Sequence, residues 1–353
     1  MKKKFLSLLL AGTMLFGAAF AGCAKKSDSK KIGVAMPTKT LQRWNQDGDN
    51  MKKKLEEAGF EVDLQYADND IPTQQNQIEQ MINNGCKVLV IASIDGDSLG
   101  TVLAKAKEKN IPVIAYDRLI MNTDAVAYYA TFDNFQVGVI QGEYLRDQLN
   151  LEGTDGPYNI ELFTGDPGDN NARFFFDGAM SILNPYIESG KLIVKSGQKD
   201  FDTVATAEWS TENAQKRMDA IIAGNYSDGT VLDAVMCSND STALGVANAL
   251  EAAYTGAYPL ITGQDCDIAN VKNMLAGKQA MSVFKDTRTL ADQVVEMVKA
   301  IMEGKEAPTN DNETYNNGVK VVPSFLCTPV FADANNYQKI LIESGYYKES
   351  DLA

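Results

Sequence analysis

Charged side chains follow directly after apolar segments at several points of this sequence. In "PVIAYDRLI" (residues 112–120) the apolar run from Val113 to Ala115 predicts a buried strand, yet the strand ends in Asp117 and Arg118. Because a protein core excludes full charges, we expect these two side chains to face a cleft. There Asp117 would accept hydrogen bonds, and the planar guanidinium of Arg118 would fork to two hydroxyl oxygens of a ligand.

The same polar ending recurs after other predicted strands. In open parallel sheets, ligands bind beyond the carboxyl ends of the strands, so these groups are expected to meet in one cleft. A neutral polyol suits a balanced set of donors and acceptors because each hydroxyl does both, whereas a phosphate site would be basic without the acids. The further residues of this kind are Asp133, Asn134, Asp169, Asn170, Asn171, Arg173, Asn239, Asp240, Asp265, Lys285 and Asp286.

A second interpretation of the acidic members stays open, because an Asp or Asn that follows a strand often caps the next helix. Capping and ligand contact are both retained for Asp133, Asp169, Asp240 and Asp286. Capping does not explain basic residues at helix starts, since a positive charge there opposes the helix dipole. The basic residues that need another reason are Arg43, Arg118 and Lys285.

The chain has two tryptophans, and both stand at predicted helix starts in polar surroundings. They occur in "QRWNQ" (Trp44) and "AEWST" (Trp209). An indole can stack on the apolar face of a sugar ring, or it can serve as a core aromatic at the base of a helix. Stacking is favoured for Trp209, and both roles are open for Trp44.

Short apolar strands alternate with amphipathic helices along most of the chain. Predicted strands begin with "KIGVAMP" (31–37), and a helix over 44–60 is predicted to end at Gly59. Continuously apolar strands in repeated βαβ units indicate a doubly wound α/β sheet. The pattern restarts at "VAYYATFD" (126–133), and this second series is too long for the same sheet, so it predicts a second unit of the same kind. A strand in "VKVVPSFL" (319–326) and a terminal helix near 334–346 follow. No dinucleotide fingerprint follows the first strand, and no phosphate-binding loop motif occurs.

Composition excludes several classes of protein. The chain has no histidine, so His-based nucleophile activation and His metal ligation are impossible. The net charge of −14, which becomes −17 without the three lysines of residues 1–22, disfavours nucleic-acid binding. Outside the N-terminal segment, no apolar stretch is long enough to span a membrane.

The N-terminal segment is typical of a lipoprotein signal. Lysines precede an apolar run that ends "FAGC", which predicts export, cleavage after residue 22 and lipid attachment to Cys23, with residues 24–31 as a polar tether. A disulfide between Cys237 and Cys266 is conceivable because both follow predicted strands. Buried free thiols are preferred for these two and for Cys86 and Cys327.

Longer motifs carry a resemblance to a known family. The chain contains "ADNDIPTQQNQIEQMINNG", "VIAYDRLI", "ATFDNFQVG", "DNNARFFFDGAMSILNPYIESGKL", "SNDSTALG", "GQDCD" and "VFKDTRTLA". Together they resemble the periplasmic sugar-binding proteins of bacterial ABC importers (type I fold), in the xylose-binding and multiple-monosaccharide-binding (ChvE-like) branch. The resemblance implies two doubly wound parallel-sheet lobes joined by three crossovers, near Phe132-Asp133, Phe284-Lys285 and Val321–Phe325. The implied lobes are 32–132 plus 286–321 and 133–285 plus 322–353.

The resemblance also implies the site and the role. The expected ligand residues, with Trp44 added on the stacking argument, are Arg43, Trp44, Asp117, Arg118, Asp169, Asn171, Trp209, Asn239, Asp265 and Lys285. The expected protein is a monomeric, membrane-anchored binding protein without cofactor, metal or catalytic step, which delivers an aldose such as xylose, glucose or galactose to an importer permease. The alternatives are a sensor that presents a sugar or a furanose-like signal to a chemoreceptor or histidine kinase, and a sugar-processing enzyme with paired carboxylates. "SND" at 238–240 matches the xylose-binding pattern while other segments match the multiple-sugar branch, so the preferred sugar stays open.

Overall fold

A computed structural model describes residues 30–352. The signal segment and Cys23 therefore lie outside the described residues, as does Ala353. In chain order the strands are β1 Lys31–Met36, β2 Glu61–Tyr66, β3 Val88–Ile91, β4 Val113–Tyr116, β5 Val126–Phe132, β6 Tyr158–Phe163, β7 Leu192–Val194, β8 Ala234–Cys237, β9 Leu260–Ile261, β10 Met281–Phe284, β11 Ser324–Cys327 and β12 Val330–Asp333.

The helices alternate with these strands. They are α1 Gln42–Glu57, α2 Ile71–Asn83, α3 Gly100–Glu108, α4 Asn134–Gln148, α5 Asn170–Glu188, α6 Phe201–Val204, α7 Thr211–Asn225, α8 Asp240–Ala253, α9 Ile268–Leu275 and α10 Thr287–Met302. Gly59 ends α1 as predicted, with a φ of +87° that a residue without Cβ adopts freely.

Six parallel strands form the sheet of the first lobe, in the order β11-β5-β4-β3-β1-β2. Every residue of β3 and β4 is buried, which agrees with a parallel sheet covered by helices on both faces. Helix α10 returns to this lobe and packs on α1 and β5. The predicted doubly wound α/β architecture is confirmed here.

The second lobe is built on four parallel strands in the order β7-β6-β8-β9. One parallel bridge, between Gln264 and Val283, joins this sheet to β10, which pairs antiparallel with β12. Strand β9 has only two residues, so "PLITGQD" is mostly loop beyond its strand. That loop carries Gln264 and Asp265 toward the first lobe.

The chain passes between the lobes three times, and the third passage lies later than predicted. The first two passages follow β5 and β10. Strand β11 pairs with β5 of the first lobe, from Ser324–Tyr129 to Cys327–Phe132, so the prediction that residues 322–353 all belong to the second lobe is wrong. The chain crosses at Thr328-Pro329, between β11 and β12, because β11 completes the sheet of the first lobe beside β5.

The C-terminal segment also differs from its prediction. In place of a helix over 334–346, the structure has a π-helical segment at Gln338–Glu343. Tyr346 and Tyr347 follow it and pack edge-to-face, with ring centroids 4.8 Å apart. The Tyr347 hydroxyl accepts from Gln42 (2.7 Å) and Gln46 (3.0 Å) of α1 and donates to the Cys266 carbonyl oxygen (2.9 Å), so it links the two lobes.

Candidate functional site

A cavity of about 430 Å³ lies between the lobes at the carboxyl ends of their strands. All ten residues predicted to bind the ligand line it: Arg43, Trp44, Asp117, Arg118, Asp169, Asn171, Trp209, Asn239, Asp265 and Lys285. Five further residues, which the sequence did not single out, complete the lining: Leu41, Phe175, Ser241, Gln264 and Asp267.

The five missed residues left only weak signals in the sequence. Gln264 and Asp267 flank Asp265 in "GQDCD", and Ser241 follows "SND", so the same strand-end reasoning extended by two positions would have included them. Leu41 and Phe175 carry no polar group. Phe175 lies one helical turn after Asn171 on α5, which turns both toward the cavity.

Arg43 lies on the acidic side of the cavity and forms ion pairs with three carboxylates. It sits in the first turn of α1, where Nε donates to Asp47 (2.8 Å), one Nη pairs with Asp117, and Nη1 lies 3.3 Å from Asp265 across the cleft. Lys285 Nζ lies 3.2 Å from the same Asp265 oxygen and 3.9 Å from Asp117. Two cations thus neutralise two cavity carboxylates, which is the reason these basic side chains are tolerated in a buried position.

Asp117 is held in a strained conformation at the end of β4. Its φ is +59°, and its carbonyl oxygen accepts from Tyr129 (2.6 Å), Thr131 (2.9 Å) and Asn171 of the second lobe (2.6 Å). Burial alone would raise the pKa of its carboxyl, but Arg43 and Lys285 hold the pKa below its usual value. Asp117 therefore remains ionised and accepts hydrogen bonds only.

Arg118 is held mainly by the protein. Its Nη1 donates to the carbonyl oxygens of Ser93 (3.1 Å) and Ile94 (3.2 Å), and its Nε forms an ion pair with Asp169 of the second lobe at 3.0 Å. The guanidinium carbon lies 5.0 Å from the centre of the Trp44 ring. Nη1 is thus used by the first lobe and Nε by the second, and the fork to two hydroxyl oxygens of a ligand stays a prediction.

Trp209 forms part of the opposite wall. Its φ is +54°, a strained value for a bulky residue, and its indole nitrogen donates to Asp169 at 3.2 Å. Gly165 makes room for the ring, because a Cβ there would lie 2.0 Å from it. Phe175 meets the indole edge-to-face at 6.1 Å. Trp44 is 3% exposed and lies between the guanidinium groups of Arg43 and Arg118, so it is both a core aromatic and part of the lining.

The capping interpretation holds for three of the four acids left open. Asp133, Asp169 and Asp286 cap α4, α5 and α10, and only Asp169 also lines the cavity. Asp240 does not cap α8, because Asn239 takes that position and accepts from Thr242 at 3.0 Å. Instead Asp240 is buried and accepts from Gln279, Ser282 and the backbone nitrogen of Asp267. Arg173 points away from the cavity toward Asp202.

Several carboxyls of the site titrate above their usual range. Burial raises the pKa of Asp267 to about 7, with Asp265 adding to the effect and Arg43 opposing it. Burial likewise raises the pKa of Asp240 and Asp169. It raises the pKa of Asp47 to about 6 against the charge of Arg43. The site is therefore less acidic at neutral pH than its number of carboxyls implies.

The thiols take no part in the cavity surface. Cys86, Cys237, Cys266 and Cys327 are all buried and free, as preferred from the sequence. Within the described residues, no cluster of three or more acids and cysteines is arranged to hold a metal ion. Over the same range, no helix has the length and apolarity needed to cross a bilayer.

Comparison with known proteins identifies the family of the chain. A periplasmic binding protein domain matches residues 32–306. The chain is 51% identical, over 98% of both chains, to the multiple sugar-binding periplasmic receptor ChvE of Rhizobium radiobacter. It is 39% identical to the D-xylose-binding periplasmic protein of Escherichia coli K12 over the full length of both.

A solved structure extends the likeness to three dimensions. An ABC transporter solute-binding protein from Clostridium phytofermentans with bound β-D-glucose is 70% identical, and the alignment covers 92% of this chain and all of that one with a TM-score of 0.91. Sequence and fold both agree with the resemblance seen in the motifs. The chain belongs to the periplasmic binding protein family.

Proposed function

We propose that the protein is an extracytoplasmic receptor that captures one monosaccharide between its lobes and delivers it to an ABC importer. The observation that carries the proposal is the interlobe cavity, in which three cations, several carboxylates and amides, and two indoles share about 430 Å³. A single sugar ring needs this combination, because its hydroxyls donate and accept while its C–H face is apolar. The relatives named for sugars, and the similar protein with bound glucose, support an aldose as the ligand.

The ten lining residues predicted from the sequence are proposed as the ligand contacts. Asp117 and Asp265 would accept from hydroxyls, because their charges are already balanced by Arg43 and Lys285. Nη2 of Arg118 would donate a charge-assisted hydrogen bond. Trp209 would stack on the ring, with Asp169 fixing the orientation of its indole through Nε1.

Release would occur by rotation of the lobes about the three crossings near Asp133, Lys285 and Thr328-Pro329. The closed arrangement is held by groups of the chain itself, including the Arg118–Asp169 ion pair and a hydrogen bond from the Gly96 nitrogen to the Gly168 oxygen (3.1 Å). An importer permease would recognise this closed form. No reaction is proposed, because Asp117, Asp169 and Asp265 are ion-paired in the cavity and the relatives are named as binding proteins.

Calorimetry and thermal shift test the proposal directly. The full chain without its signal segment should bind one aldose per molecule among xylose, glucose and galactose, and bound sugar should raise the melting temperature. Tight binding of amino acids, peptides or nucleosides alone would contradict it. Conversion of the sugar to any product would contradict the absence of a reaction.

Lipid attachment at Cys23 belongs to the same proposal. The "FAGC" boundary and the short polar segment after it support an anchor that keeps the receptor at the membrane surface. Replacing Cys23 by Ala should move the protein from the membrane fraction to the soluble extracytoplasmic fraction. Unchanged membrane association of that variant would show that another segment holds it.

Presentation of the sugar-bound form to a sensor is the second candidate, favoured by the description of the Rhizobium radiobacter relative as a receptor. Importer and sensor bind the same closed form and differ only in partner. Sugar-dependent capture from membranes should recover permease subunits if the protein serves transport. Recovery of a chemoreceptor or histidine kinase instead would favour sensing.

A further inference from the structure

Two residues on the second-lobe side of the cavity each carry a buried side-chain oxygen that has no hydrogen-bond partner among residues 30–352. These oxygens are Oε1 of Gln264 and Oδ1 of Asp267, and both residues line the cavity. Gln264 is 1% exposed. A buried acceptor without a donor destabilises a folded protein, because the oxygen has lost its hydrogen bond to water. A bound group that donates to this oxygen replaces that hydrogen bond.

The orientation of the Gln264 amide is fixed by its other end. Nε2 donates to the Ser238 carbonyl oxygen at 2.9 Å, and the Gln264 carbonyl oxygen accepts from the Asp240 nitrogen at 2.9 Å. Turning the amide over would place two oxygens against each other, so Oε1 remains directed away from Ser238. It is therefore an acceptor held in place.

Asp267 occupies the position before α9 where an Asp usually caps a helix. No side-chain capping bond forms there, in contrast to Asp169 and Asp286 at the starts of α5 and α10. The Asp267 backbone nitrogen donates to Asp240 at 2.8 Å, which fixes the main chain. Oδ1 of Asp267 is thus a buried acceptor without a partner among residues 30–352, on a residue that lines the cavity.

We propose that Gln264 and Asp267 each accept a hydrogen bond from a hydroxyl of the bound monosaccharide and so determine which hydroxyl positions the ligand must carry. This inference rests on the proposed function. A sugar that lacks one of these hydroxyls would leave the corresponding oxygen buried and unpaired. The affinity for that deoxysugar should fall by about 10- to 100-fold.

The experiment pairs variants with deoxysugars. Binding of glucose and its 2-, 3-, 4- and 6-deoxy derivatives is measured by calorimetry for the parent, Gln264→Met and Asp267→Ala. The parent should discriminate strongly at several positions. In Gln264→Met, the affinities for glucose and for one of the deoxysugars should differ by no more than about threefold, while the differences for the other deoxysugars stay as in the parent. Asp267→Ala should likewise lose the affinity difference for one deoxysugar.

Gln141 offers a matched control. It is a buried glutamine whose Nε2 also donates to the Ser238 carbonyl oxygen (3.2 Å) and whose Oε1 also has no partner among the described residues, but it does not line the cavity. Gln141→Met should lower stability and leave the deoxysugar pattern of the parent unchanged. If Gln264→Met does not fold, Asp267→Ala provides the test by itself. That variant should fold, because the Asp267 side chain makes no capping bond that the substitution would remove.

The outcomes separate this inference from the proposed function. If the parent binds sugars and both variants lose affinity equally for every deoxysugar, or lose none, the two oxygens do not contact the ligand and this inference alone is overturned. If the parent binds no monosaccharide, the proposed function fails and the inference fails with it.

Discussion

Arg118 shows how one side chain can be both buried and available. Two of its three guanidinium nitrogens are used by the protein, on the carbonyl oxygens of Ser93 and Ile94 and on Asp169, and Trp44 lies beneath its plane. These contacts fix the third nitrogen before a ligand arrives. The entropy of ordering a long side chain is then lost during folding rather than during binding.

We expect Arg118→Ala to lower sugar affinity by about 10- to 150-fold, which corresponds to the roughly 1.5–3 kcal/mol of one charge-assisted hydrogen bond. Arg118→Lys should restore little, because an ammonium group cannot hold two carbonyls and the ligand in one plane. Isothermal titration calorimetry measures the sugar affinities of both variants.

The control for this change is Arg217→Ala. Arg217 also donates to a backbone carbonyl, that of Leu162 at 2.8 Å, and lies 4.1 Å from the Phe163 ring, but it is remote from the cavity. It should lower the melting temperature and leave affinity unchanged. Affinity of Arg118→Ala within about threefold of the parent would mean that Nη2 does not meet the sugar.

Asp267 makes stability depend on pH in a range where this chain has no histidine to titrate. Its native pKa of about 7 lies above the unfolded value of about 3.9, so the native state binds the proton more tightly. The resulting stabilisation is complete below the unfolded pKa and is lost as pH rises through the native pKa. The free energy of unfolding should fall by on the order of 1 kcal/mol between about pH 6 and 8.

Urea denaturation at several pH values tests this. The variant Asp267→Asn, which cannot titrate, should show a smaller decline over the same range. The charged and titratable groups that face Asp267 are Asp240, Asp265, Arg43, Lys285 and Tyr347. An equally steep decline in the variant would assign the effect to Asp240 or Asp47.

At the scale of elements, helix α1 and the C-terminal segment act together across the cleft. Helix α1 carries Arg43 into the cavity from its first turn, and one turn of the same helix offers Gln42 and Gln46 to the Tyr347 hydroxyl. Tyr347 then donates to the carbonyl of Cys266, next to Asp265. Closure of the lobes therefore sets Arg43 and Asp265 opposite each other through contacts that never touch the ligand.

Removing that hydroxyl should weaken binding without changing the cavity. We expect Tyr347→Phe to reduce affinity by about three- to tenfold, because bonds worth about 0.5–1.5 kcal/mol each are lost from the closed form only. Tyr337→Phe is the matched control, since its hydroxyl accepts from the neighbouring Gln338 and makes no contact between the lobes within residues 30–352. Calorimetry gives the affinity, and small-angle scattering gives the fraction of closed molecules. Equal sugar affinities for the two variants would show that the Tyr347 hydroxyl does not stabilise the closed form.

Sequence reasoning succeeded where the signal was local and failed where it depended on distant pairing. Strand ends such as Asp117-Arg118 indicate a cleft, because two full charges directly after an apolar run would be unstable inside a core. The place of β11 could not be predicted in the same way, because a four-residue strand fits either sheet until its neighbour β5 is known. Arg118 was assigned to the site, but its use of Ser93 and Ile94 depends on a loop 25 residues away in the chain. The role of Gln264 required the orientation of an amide, which no pattern of residue types contains.

At the scale of the molecule, two lobes of similar construction enclose a site that neither could form alone. The first lobe supplies most of the cations through Arg43 and Arg118, and the second supplies Asp169, Asp265 and the Trp209 ring. The ion pairs between Arg43 and Asp265 and between Arg118 and Asp169 join the lobes directly. The same atoms thus hold the molecule closed and are arranged around the ligand space.

The hydrogen bond between the Gly96 nitrogen and the Gly168 oxygen, which joins the two lobes, has a kinetic consequence. If the lobes must part before a sugar can enter, entry waits for this bond and the ion pairs beside it to open, whatever the concentration outside. The observed association rate should then rise linearly in dilute sugar and level off at the frequency of parting. The rate at which one receptor can load sugar would then have a fixed maximum. At high sugar concentration a cell would increase uptake by making more receptors, because each receptor could not be loaded faster.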